Sequence, residues 1–290
     1  MNALKKILIT GADGQVGNAL QLSAPDGYIP IVANKSALDI SNRSEVLRWV
    51  ETEKPAGIIN AAAFTAVDRA ESESDLAFRV NAEGPLNLAL AAQGMSISLV
   101  HISTDFVFDG RQSTPYKPGD TVNPLSVYGE SKARGEAHIL STSPEHGSII
   151  RTSWVYSMGY ANFVSTMLRL MSEKDRLTVV ADQIGTPTSA QPLALACWAA
   201  LERRLSGIFH WTDAGVASWY DFAVAIQEES LQLGILKKAI PVLPIDTDQF
   251  PTPATRPSYS VLEKAESSKS LGQSPDHWRI ALRKNLATMA

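Results

Sequence analysis

From Lys6 to about Arg151 the chain alternates short apolar runs with longer amphipathic stretches. The runs at 7–9, 28–32, 57–59, 97–102 and 148–150 are candidate strands, each followed by turn residues or a helical pattern. Runs this apolar belong to strands buried on both faces, so the pattern predicts an α/β fold with a doubly wound parallel sheet. After Arg151 the alternation weakens. A helix is expected over 163–171, a short strand over 177–180 and a helix over 190–204, before a proline-rich stretch at 241–257. The expected organisation is a first domain over 1–150 and a smaller α/β lobe over 151–290. The boundary is soft, because residues beyond 177 can return a sixth strand to the first sheet. No Ser/Gly linker separates the halves, which predicts tight packing with a cleft between them.

Composition narrows the function. With 44% hydrophobic and 19% charged residues in 290, the chain can bury a sizeable core, which excludes disorder, collagen and coiled coil. A formal charge of -4 gives no global attraction to nucleic acid or to an anionic membrane, so neither is expected as a partner. The single cysteine, Cys197, excludes an internal disulfide framework and fits a reducing compartment, with the cytosol as the expected location. The opening ten residues hold a five-residue apolar run, too short for a signal-peptide core or a membrane span, and read as a first strand.

Gly11, Gly14 and Gly17 follow that strand directly and open a helix expected over 15–22. There, backbone N–H groups and the helix dipole would face a diphosphate. The plain alternative is a strand-to-helix turn whose glycines serve only positive φ and close packing. A carboxylate for a ribose 2′-hydroxyl is expected near the end of the second strand, but 32–36 contains none. Lys35 can instead meet a 2′-phosphate, so NADPH is favoured over NADH as the cofactor, against the alternative of a solvated lysine. Asp39 and Ile40 either hold the adenine edge or belong to the N-cap region of a helix over 43–50.

The fourth strand ends in Ser103, Thr104 and Asp105, at the edge where open α/β sheets bind ligands. Tyr128 and Lys132 follow at i,i+4 spacing, on one face of a helix. Chance alone supplies roughly 0.3 such pairs in a chain of this composition, so the pair carries weight only because it follows the glycine turn and the Ser-Thr-Asp strand end. A free phenol, with a pKa of about 10, is too weak an acid at neutral pH. An ammonium one turn away is expected to pull it towards the working range, so that Tyr128 can shuttle a proton.

Together these residues resemble the extended short-chain dehydrogenase/reductase superfamily, and within it the match is closest to the dTDP-4-dehydrorhamnose reductase family. The runs NAAAFTAVDRAE (60–71), STDFVFDG (103–110), RTSWVY (151–156) and PTPATRP (251–257) carry the likeness across nearly the whole chain. The resemblance implies a Rossmann-like cofactor domain with a C-terminal substrate lobe. It also implies hydride transfer from NADPH or NADH to C4 of a dTDP-linked 4-keto-6-deoxy sugar. Tyr128 would protonate the developing alkoxide, Thr104 would hydrogen-bond the same oxygen, and Lys132 would tune Tyr128 and hold the nicotinamide ribose. By the same likeness Gly14, Gln15 and Val16 approach the diphosphate, Asp39 and Ile40 the adenosine, and Ala61, Ala62, Ala63, Phe64 and Thr65 the cofactor's central portion. Family members often carry His where this chain has Phe64.

For the sugar nucleotide the resemblance points to Thr104, Asp105, Trp154, Asn162, Phe163 and Arg256. Trp154 offers a flat face for a sugar or thymine ring or is simply core; Arg256 clamps a diphosphate or makes a surface ion pair; Asp105 binds substrate or caps the loop after its strand. His101 reads as a satisfied core residue, Cys197 as packing, and Glu71 and Glu73 as a solvated helix face. No cluster has metal-ligand spacing, and Ala19 and Gln191 stand where some relatives place magnesium-binding glutamates. Monomer and homodimer both remain open. The rivals are a reductase of another nucleotide-linked 4-keto-deoxy sugar and a noncatalytic NADP-binding regulatory subunit; retention of Thr104, Tyr128 and Lys132 argues against the latter.

Overall fold

The computed structural model describes residues 4–289, so the first three positions of the opening stretch lie outside the described residues. Five apolar runs form the strands β1 (Lys5–Thr10), β2 (Tyr28–Ala33), β3 (Gly57–Asn60), β4 (Ser98–Thr104) and β5 (Gly147–Thr152). A sixth strand, Gly207–His210, returns from the second half and pairs with β5. The sheet order is Gly207–His210, β5, β4, β3, β1, β2, with every pairing parallel. The order reverses between β1 and β3, so their carboxyl ends leave a crevice between them.

Alternate residues of each strand point to opposite faces, and both faces are dry. Ile7, Ile9, Ile59, Val100 and Ile150 pack with Leu20 of helix α1 (Gln15–Leu22) and with Leu193 and Trp198 of the helix Ala190–Glu202. Leu8, Ile58, Leu99 and Ile149 pack against Val46 and Val50 of helix α2 (Arg43–Glu53) and against Leu88 and Ile139. Each such side chain taken from water stabilises the fold by roughly 1.5–3 kcal/mol. Cys197 sits in the first of these layers, and burial pushes its thiol pKa up, which leaves it inert packing.

The second lobe has its own core, in which Val164 and Leu168 of the helix Phe163–Glu173 meet Phe222, Ile226, Trp278 and Leu282. No helix among the described residues is long and apolar enough to cross a membrane.

One buried ion pair ties the sheet to the helix Val127–Thr142, which carries Tyr128. Arg151 of β5 and Glu136 are both nearly inaccessible. Arg151 Nε donates to Glu136 Oε1 at 2.9 Å, Nη2 donates to Oε2 at 2.7 Å, and Nη1 reaches the Pro118 carbonyl at 3.2 Å. Replacing Arg151 with Leu strands a charged carboxylate away from water. The variant is expected to lose about 3–5 kcal/mol of stability, read as a fall in the urea midpoint.

Candidate active site

The glycine turn sits in the sheet's crevice. Gly11 has φ +67°, and a Cβ there would lie 2.6 Å from Ala61 C and Ala62 N, so only glycine lets the turns after β1 and β3 meet. A Cβ on Gly17 would come within 2.2 Å of the Gly11 carbonyl oxygen; this glycine packs α1 onto the turn and does not line the cavity. Gly14 is the N-cap of α1. The first turn has no side-chain cap and no acidic residue, so its positive end is left for an anion. These features fit a dinucleotide diphosphate.

A cavity of about 830 Å³ runs from this turn across the sheet edge. Its walls include Gly11, Gly14, Gln15 and Val16, then Lys35, Asp39 and Ile40 at one end. Ala61, Ala62, Ala63 and Thr65 line its middle, and Thr104, Asp105, Tyr128, Lys132, Trp154 and Arg256 its far side. Most of the residues singled out in the sequence therefore converge on one space. Phe64, Asn162 and Phe163 do not line it. Phe64 exchanges two backbone hydrogen bonds with Asn81 and turns its ring under the Arg69 guanidinium at 5.6 Å. Asn162 caps the helix Phe163–Glu173 and donates to Gln15 Oε1 at 2.9 Å, and Phe163 stacks on Phe222 in the second core.

Contacts in the structure bear on several alternatives left open by the sequence. One face of Trp154 stacks on Trp219 at 3.6 Å and 9°, Gly185 lies close to its indole ring, and Trp154 also lines the cavity. Arg256 makes a two-pronged ion pair with Asp68, Nη1 to Oδ1 at 3.1 Å and Nη2 to Oδ2 at 2.9 Å, and this holds the Asp68 carboxyl below its usual range. Asp39 turns its carboxylate back onto Ser41, and α2 is capped by Asn42. Glu71, expected to face solvent only, accepts the Val127 N–H at 2.9 Å and braces the start of the Tyr128 helix; Glu73 pairs with Arg69.

The reacting end is closely packed. The Thr104 hydroxyl donates to Asp105 Oδ1 at 3.1 Å and accepts the Phe106 N–H at 3.2 Å. Burial pushes the Asp105 carboxyl up to about 6. The expectation for Tyr128 is corrected: Lys132 does not pull the phenol down. Burial raises Tyr128 to about 12; a hydrogen bond with Thr104 acts against that shift and the Asp105 charge adds to it. Lys132 is itself buried, is lowered to about 8 by loss of solvent, and points its Nζ at the Ile102 carbonyl, 2.6 Å away, and at His101 Nε2, 3.1 Å away.

A family model described as the RmlD substrate binding domain matches residues 5–290. The chain belongs to this family. It is 42% identical to a dTDP-4-dehydrorhamnose reductase of Aggregatibacter actinomycetemcomitans, over 97% of this chain and 98% of that one. It is 41% identical to the spore coat polysaccharide biosynthesis protein SpsK of Bacillus subtilis, over 98% and 97%. A crystal structure of dTDP-4-dehydrorhamnose reductase from Bacillus anthracis in complex with NADP superposes with a TM-score of 0.92 at 36% identity, covering 98% of this chain and 99% of that one.

Two residues of this RmlD family member carry the site without having been singled out. Asn81, buried in a π-helical turn (Arg79–Glu83), bonds both backbone groups of Phe64 and the Ser131 hydroxyl, joining the Ala-rich loop to the Tyr128 helix. Trp219 lines the cavity and backs Trp154, but its sequence pattern gives no sign of that contact. Gly11→Ala is expected to weaken NADPH binding more than about tenfold, because the strained φ and the Ala61 contact force the turn open. Nucleotide fluorescence titration reads this directly.

Proposed function

We propose that the chain is an NADPH-dependent dTDP-4-dehydrorhamnose reductase, which reduces C4 of dTDP-4-dehydro-6-deoxy-L-lyxo-hexulose to give dTDP-L-rhamnose. The observation that carries this reading is one continuous cavity joining the glycine turn to Thr104 and Tyr128, in a chain alike to such reductases over nearly its whole length. Bound there, a reduced nicotinamide supplies the hydride. Gly14, Gln15 and Val16 offer the helix end to the diphosphate, and the small Ala61–Ala63 wall leaves room for the cofactor's centre. Tyr128, protonated at neutral pH, gives its phenolic proton to the keto oxygen as charge develops there. Thr104 steadies the same oxygen, and Arg256 exchanges Asp68 for the sugar nucleotide's diphosphate.

The preference for NADPH rests on the end of β2. Asn34 and Lys35 line the cavity, 32–36 holds no carboxylate, and the Asp39 carboxylate is engaged with Ser41. Lys35→Ala is expected to raise the Kd of NADPH by about fivefold and leave that of NADH unchanged, as fits one exposed ion pair.

The deciding assay follows NADPH oxidation with the dTDP-linked keto sugar and identifies the product by NMR. Rapid turnover to dTDP-L-rhamnose is expected, and Tyr128→Phe is expected to lose at least about a hundredfold in kcat while keeping its affinity for NADPH. A folded wild type that binds NADPH but leaves this sugar untouched would reject the reading in favour of another deoxysugar or a binding subunit.

A further inference from the structure

Gln15 belongs to both halves of the cleft. Its backbone is the first residue of α1, next to the N-cap Gly14, so its N–H is among the helix-end donors left for an anion. Its side chain is engaged with the segment 155–162 of the second lobe. The Ser157 N–H donates to Gln15 Oε1 at 2.7 Å, and the Asn162 amide donates to the same oxygen at 2.9 Å. A backbone N–H can only donate, so the Gln15 carbonyl lies on that side and its amide nitrogen faces the Val155 carbonyl, 3.4 Å away.

The segment so held is a wall of the cavity, which Val155, Tyr160 and Ala161 line together with Trp154 just before them. The Asn162 amide also donates to the Ser157 carbonyl at 2.6 Å and closes the turn 157–162, in which Gly159 takes φ +82°. A second tie between the lobes joins Asp68 to Arg256 and to the Ala254 N–H. In the reading above Arg256 leaves Asp68 for the sugar nucleotide, so that tie opens on binding. Gln15 holds the wall by its side chain and offers a ligand its backbone N–H, so both contacts can be made at once.

We propose that Gln15 is a positioning residue that couples the two ligand sites: a diphosphate held at the end of α1 steadies the wall 155–162 through the Gln15 amide, so that cofactor and sugar nucleotide each bind more tightly in the presence of the other. This rests on the reading above, with a dinucleotide at the glycine turn and a sugar nucleotide at the far side of the cavity. The entropy lost in ordering a wall tied to both sites falls on whichever ligand binds first, and the second meets a wall already in place. Linkage makes the effect reciprocal: each ligand raises the affinity of the other by the same factor.

Calorimetric titration with NADPH and dTDP tests this, because dTDP has no keto group and the pair binds without reacting. In the wild type, saturating NADPH is expected to lower the Kd of dTDP about tenfold, and saturating dTDP to lower that of NADPH by the same factor. Gln15→Met keeps the length of the side chain without its amide, and is expected to bring the factor below about two. Asn162→Ser keeps a cap on the helix Phe163–Glu173 but is too short to bond Gln15; it is expected to cut the factor at least about threefold, and it decides the matter if Q15M does not fold. A merely structural role would weaken both ligands or lower the Tm and leave the factor unchanged. A wild type that binds both ligands independently, or a tenfold factor that survives in Q15M, overturns the coupling alone. A folded wild type that binds neither ligand overturns the underlying reading with it.

Discussion

The turns after β1 and β3 meet at Gly11 and Ala61 with no room for a side chain between them, and the geometry of the site depends on that contact. Parallel strands all end on one edge, and the reversal of order between β1 and β3 opens that edge at a single place. A Cβ at Gly11 would lie within 2.6 Å of the Ala61–Ala62 backbone and wedge the two turns apart. Gln15, at the start of α1, accepts the Ser157 N–H at 2.7 Å and the Asn162 amide at 2.9 Å. The glycine turn thus fixes a contact of the second lobe along with the first, and the cleft keeps its width because both walls are tied to α1.

A polar column from Thr10 to Lys132 runs through the centre of a sheet between two layers of largely aliphatic side chains. Buried polar groups destabilise a core unless every donor and acceptor is matched. The Ala62 amide fixes the orientation of Asn60, which meets one ring nitrogen of His101 while Lys132 lies at the other.

The parallel sheet was legible because its strands are continuous apolar runs, and the helix over 15–22 because glycines mark its start. The sixth strand at Gly207–His210 was expected only as some segment beyond 177, since four residues of mixed polarity give no period to read. At the site, Thr104, Tyr128 and Lys132 could be found because spacing along one strand end and one helix face survives folding. Contacts between distant segments could not. The pairing of Arg256 with Asp68, the contact of Trp154 with Trp219 and Gly185, and the capping of Val127 by Glu71 each join residues more than 30 positions apart. His101 was read as a satisfied core residue, which is true of its hydrogen bonds; what the sequence could not show is that one of its partners is Lys132.

The same blindness explains the inverted expectation for Tyr128. Spacing of i,i+4 places phenol and amine on one helix face, and in water a charged lysine there would favour the phenolate. Inside the protein the balance changes, because loss of solvent disfavours the charged form of both groups: the phenol rises to about 12 and the amine falls to about 8. A site built to remove a proton from an alcohol gains from an ammonium near its tyrosine. A site built to deliver one to a ketone gains from a phenol that is still protonated at neutral pH. Lys132, at about 8, keeps its ammonium at neutral pH against the Ile102 carbonyl, while Tyr128, at about 12, keeps its proton.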